Sequence, residues 1–145
     1  MGYTTDFSGS INVVPPMSEK LCIFLTKFSD TRRMERTQGP YYVEDGNEGV
    51  TNGNQPPEGQ PGLWCNWVPS KCGTFIEWNE AEKFYESEEW MKYIIEHFLV
   101  PAGHICNGEI EANGEDPQDM WLLAVKDNVV SVAQGSISYG EPYEI

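Results

Sequence analysis

Three arginines, Arg32, Arg33 and Arg36, fall together in TRRMER and form the one cationic cluster of the chain. Neighbouring guanidiniums make forked hydrogen bonds to phosphate or carboxylate, so the first chemistry on offer is anion binding. Three of the tryptophans, Trp64, Trp67 and Trp78, lie within GLWCNWVPSKCGTFIEW, and an indole face can stack a base or a cation. Arginine on phosphate and indole on base would together hold a nucleotide-type ligand. Each half also has a plainer reading. Cations that follow an apolar helix cap its exposed carbonyls, and tryptophans at this density fill cores. His104 and Cys106 stand two apart on a strand-like stretch and so share a face, which makes His104 the candidate acid or base.

Metal chemistry has less support. Glu109, Glu111, Glu115, Asp116 and Asp119 crowd one stretch with oxygen ligands of the kind Ca²⁺ or Mg²⁺ takes, at a spacing that matches no EF-hand loop. The cysteines, at 22, 65, 72 and 106, include no CxxC pair, and no Gly-rich phosphate loop or dinucleotide fingerprint occurs. No metal and no cofactor is expected.

The charge narrows the partners. The chain has 145 residues, the size of one domain, and a net charge of −14. Residues 1–38 hold five basic against four acidic groups, a net of +1, so the remainder carries −15, with Lys71, Lys83, Lys92 and Lys126 against nineteen carboxylates. Such a field repels nucleic-acid backbones and acidic membranes and favours a basic protein surface. An acidic globule can also imitate nucleic acid by spacing carboxylates like phosphates. No apolar run is long enough to cross a bilayer, and MGYTTDFSGS lacks the basic and hydrophobic regions of a signal peptide. A cytoplasmic protein is expected, with Cys65 and Cys72, on either side of a hairpin turn, as thiols.

These residues need elements to hold them. Phe7, Gly9, Ile11 and Val13 alternate as in a half-buried strand, which Pro15-Pro16 ends. Ser18 reads as an N-cap for a helix whose apolar stripe is Leu21, Phe24, Leu25 and Phe28. Residues 38–60 are rich in glycine and proline without periodicity and predict a long, flexible loop. Residues 62–68 and 74–78 predict an aromatic hairpin, with Leu63, Cys65 and Trp67 facing one way and Trp64, Asn66 and Val68 the other. Asn79 with Glu82, or Ser87, starts a second helix with Met91, Ile94, Ile95 and Phe98 as its stripe. Three strands follow, over about 104–113, 120–126 and 129–134. The fold class is α+β, a single domain with an antiparallel sheet of five to six strands and two helices on one face, in the order β-α-β-β-α-β-β-β.

The stretches MGYTTDFSGSI, LTKFSDTRRMER, NQPPEGQPGLWCNWVPS, IEWNEAEKFYESEEW, CNGEIEANGED and KDNVV resemble a widespread set of small hypothetical proteins of bacteriophages and bacteria, often carried on mobile elements. The likeness covers most of the chain apart from about residues 39–53 and the tail. It implies a phage or mobile-element origin, and by analogy a host-takeover or counter-defence factor that works by binding.

The sequence favours a non-enzymatic binding protein, which blocks a basic host surface or sequesters a nucleotide-type ligand through Arg32, Arg33, Arg36, Trp64, Trp67 and Trp78. One alternative is a small enzyme acting on a nucleotide or phosphate compound, with His104 as acid or base. Another is a structural or assembly protein.

Overall fold

The computed structural model describes residues 2–44 and 46–145. The first strand, β1 (Thr5–Val14), buries Phe7, Ile11 and Val13 as its alternation predicts. Helix α1 (Glu19–Asp30) starts at Ser18, whose Oγ accepts from the Leu21 amide at 3.1 Å, and it buries Leu25 and Phe28. Short strands β2 (Glu35–Arg36) and β3 (Val50–Asn52) pair with each other. Then come β4 (Trp67–Pro69), β5 (Phe75–Trp78), helix α2 (Ser87–Ile94), β6 (Ile105–Gly114), β7 (Met120–Lys126) and β8 (Val129–Gln134). Helix α2 continues through a π-helical turn, Ile95–Leu99.

The main sheet is antiparallel, with strand order β4-β5-β1-β6-β7-β8. Hairpin-length links build its two flanks, and the long β1–β6 pairing, from Thr5 opposite Gly114 to Val14 opposite Ile105, joins them at the centre. Both helices pack on one face. There Leu25, Phe28, Trp90, Met91, Ile94 and Leu99 meet Phe7, Ile11, Ile76, Ile110 and Leu123 in one apolar cluster. This is the α+β fold class the sequence predicts, with the β2–β3 pair as an addition.

Three local expectations are corrected. The strand predicted over 62–68 is confined to its end, because Cys65, Asn66 and Trp67 are all buried and an alternating strand cannot bury three in succession. The second helix does not start at Asn79. That side chain accepts from the Ala81 amide in a local turn, and Glu80, Lys83 and Glu86 have positive φ (67°, 59° and 57°), which no helix tolerates. Ser87 is the first helical residue and not the cap; its carbonyl accepts from the Trp67 indole N–H at 2.8 Å. Within the span predicted as loop lies β3, so part of it has regular structure.

Gly9 sits in the middle of β1 at φ +113°, where a β-carbon would lie 2.5 Å from the Glu109 carbonyl on β6. Only glycine tolerates both conditions. Gly9→Val is expected to cost about 2–4 kcal/mol in urea unfolding, whereas Ser8→Ala next to it should stay within about 0.5 kcal/mol. Equal midpoints for the two variants would contradict this account.

Candidate functional site

The arginine cluster turns inward. Arg33 is 2% exposed and Arg36 8%. Arg33 donates from Nη2 to the Tyr42 carbonyl, and its guanidinium lies 4.2 Å over the Phe28 ring. Arg36 donates from Nη1 to the Gly46 carbonyl at 2.9 Å and lies 4.8 Å over the Tyr42 ring. Arg32 donates from Nε to the Gly53 carbonyl at 3.1 Å. Each of these hydrogen bonds goes to the segment after β2, so the cluster staples that segment to the end of α1. Burial, and then the charge of Arg36, pulls Arg33 down to about 10, which leaves it protonated at neutral pH. These are neither helix caps nor displayed anion holders.

The tryptophans separate as well. Trp67 is 2% exposed, with Phe7 and Phe84 edge-on at 5.2 and 5.0 Å. Trp78 is half-buried against Phe7 and donates to the Ala81 carbonyl at 3.2 Å. Trp64 is 43% exposed, and neither cleft it lines contains an arginine. The six residues proposed to hold a nucleotide therefore do not converge.

His104 is buried, and its Nδ1–H donates to the Pro15 carbonyl at 2.7 Å, tying the end of β1 to the start of β6. Cys106 is fully buried and burial pushes its thiol up to about 11, so it is a poor partner for a general base. The pair shares a face without becoming a catalytic dyad. The carboxylates also disperse. Glu115 accepts from the Thr4 amide and Asp119 from the Tyr3 hydroxyl, both at 2.7 Å, which ties the β6–β7 turn to the N-terminus. Among the described residues no group of three His, Cys, Asp or Glu comes close enough together to hold a metal ion.

Two groupings were not legible in the sequence. In one, His97 on the π-helical turn stacks on Tyr93 at 3.9 Å and shares a 3.0 Å hydrogen bond with the Tyr41 hydroxyl. Its sequence trace is the i, i+4 spacing of Tyr93 and His97.

The other is the sheet face that no helix covers. Asp6 and Ser8 on β1 point outward, opposite Asn113 and Glu111 on β6, and Ser10 lies opposite Glu109. Glu77 on β5, one residue beyond the Ile11–Ile76 pair, extends the Ser10–Glu109 row by one strand. Residues two apart on a strand stand about 6.7 Å apart and adjacent strands about 4.8 Å, so Asp6, Glu77, Glu109 and Glu111 form one compact anionic field. Among the described residues the one ion pair is Lys27 with Glu44, on another part of the molecule, so these four carboxylates have no cation partner. Beside them a shallow cleft of about 400 Å³ is lined by Glu111, Asn113, Met120, Leu122 and Ala133. An apolar strip rimmed by like charges is the make-up of a protein-binding surface.

No helix among the described residues is long and apolar enough to cross a membrane. Compared with family models, curated proteins and solved structures, the chain gives no match.

Proposed function

We propose that the protein is a non-enzymatic binding protein that covers a basic surface of another protein with the open face of its sheet. The observation that carries this reading is the placement of Asp6, Glu77, Glu109 and Glu111 on one face with no ion-pair partner among the described residues, while the two most buried arginines are folded inside. A field of one sign steers a partner of the opposite sign and rejects its own. In the phage or mobile-element setting that the resemblance implies, the partner is a host protein in the cytoplasm whose basic surface ordinarily holds nucleic acid. The protein then acts as a host-takeover or counter-defence inhibitor. Sequestration of a nucleotide is less well supported, since Arg33 and Arg36 are buried and the hydrogen bonds the three arginines make go to backbone carbonyls of the same chain. An enzyme is less well supported too, since His104 donates to Pro15.

The test is affinity capture from bacterial lysate with the wild type and with a D6N/E77Q/E109Q/E111Q variant as baits. Basic proteins held by the wild type, released by salt and absent from the variant support the reading. Equal capture by both baits, or capture that salt does not disturb, refutes it.

A further inference from the structure

A cleft of about 770 Å³ lies between α1 and the tip of the β4–β5 hairpin, and both Cys22 and Cys72 line it. Cys72 is exposed on the tip, with its Sγ 2.8 Å from Thr74 Oγ1 and 3.6 Å from Ser70 Oγ. Ser70 Oγ already accepts from the Phe75 amide at 3.2 Å, which leaves its own O–H to donate to sulfur. Cys22 reaches the same place from α1. A β-carbon on Gly73, the residue after Cys72, would lie 3.3 Å from Cys22 Sγ. The expected neighbour of Cys72 across the hairpin, Cys65, is instead 1% exposed in the core.

We infer that Cys72 and Cys22 form a dithiol site that exchanges with small disulfides, Cys72 attacking and Cys22 resolving. The Cys72 thiolate attacks one sulfur of RSSR, forms a mixed disulfide and expels RS⁻. Cys22 then gives up its proton and attacks Cys72 Sγ, expelling a second RS⁻. In sum the two protein thiols lose two electrons and two protons to RSSR, which leaves as two RSH. The two cysteines are suited to different roles. The Thr74 and Ser70 hydroxyls pull Cys72 down to about 7, whereas burial, and then the charge of Cys72, raises Cys22. A thiol with its pKa near ambient pH is the best attacker in such exchange. Cys65 and Cys106, which burial pushes up to about 12 and about 11, are spectators. The charged groups lining the cleft are Glu19 and Lys27 from α1, the latter paired with Glu44, and Lys71 from the hairpin, whose ammonium is placed to meet a carboxylate of a peptide disulfide. The bridge would clamp α1 to the hairpin.

The experiment treats the full chain with oxidised glutathione and maps the products by mass spectrometry. The wild type is expected to lose two hydrogens and yield a Cys22–Cys72 cross-linked peptide. Cys22→Ser should stop at one glutathione on residue 72, and Cys72→Ser should stay unmodified over the same time. The rate of adduct formation in Cys22→Ser should be half-maximal near pH 7, about one to two units below an ordinary thiol. Thr74→Val should move that midpoint upward. A stable glutathione adduct on wild-type Cys72 without a bridge overturns the proposal. So does a bridge to Cys65 or Cys106, or an adduct rate half-maximal at the ordinary thiol pH.

Discussion

Replacing Asp6, Glu77, Glu109 and Glu111 by their amides is expected to weaken binding to the proposed basic partner by about 100-fold or more at low salt, without lowering the stability of the fold. The two effects part because the carboxylates sit on the side of the sheet away from the core. None is buried, and the register places them among serines, asparagines and one another, with no cation in ion-pair contact among the described residues. In the isolated protein they repel, so removing their charge relieves the fold. In the complex each would face a cation, so removing the charge weakens attraction, and it does so less as salt rises. Titration of the partner at two ionic strengths, with urea unfolding of the same samples, checks both signs. Unchanged affinity in folded variant protein would rule out this face as the binding surface.

The second large effect is on stability. Trp67→Ala is expected to cost about 3–5 kcal/mol, a large part of what holds a chain of this size folded. Trp67 is where the two flanks of the core meet. It packs edge-on against Phe7 of β1 and Phe84, pairs across the sheet with Trp78, and donates to the Ser87 carbonyl at the first turn of α2. Phenylalanine at this position keeps most of the packing and removes only the link to α2, which makes it about 1 kcal/mol worse than the same change at Trp90. Trp90 is equally buried, but its indole N–H has no partner among the described residues, so Trp90→Phe loses ring volume alone. Urea midpoints should fall in the order Trp90→Phe, Trp67→Phe, Trp67→Ala, the last being lowest. A Trp67→Phe protein as stable as Trp90→Phe would mean that the bond to Ser87 contributes nothing.

For α1 and β1 the periods of the apolar residues, with Ser18 as cap and Pro15 as stop, are local properties, so these elements stand where they are predicted. The same holds for β6, β7 and β8, whose alternation and turns are short-range. The segment 79–86 misleads because Asn79 and Glu82 have the spacing of a cap, while the backbone instead takes positive φ at Glu80, Lys83 and Glu86. Burial of Phe84 beside Phe7 and Trp67 accompanies that conformation, and it depends on strands far away in the chain.

Sequence alone therefore determined the fold class, the unequal spread of charge, and which strand positions alternate. Tertiary structure decided which of two alternating faces the helices cover, and so which carboxylates are left outside. It turned Arg33 and Arg36 toward carbonyls of a segment that sequence describes only as irregular, and it brought Cys22 to the cleft that Cys72 lines. The physical reason is range. Periodicity and capping are encoded within a few residues, whereas the direction of a guanidinium or the neighbour of a thiol depends on groups that meet only when distant stretches share one core.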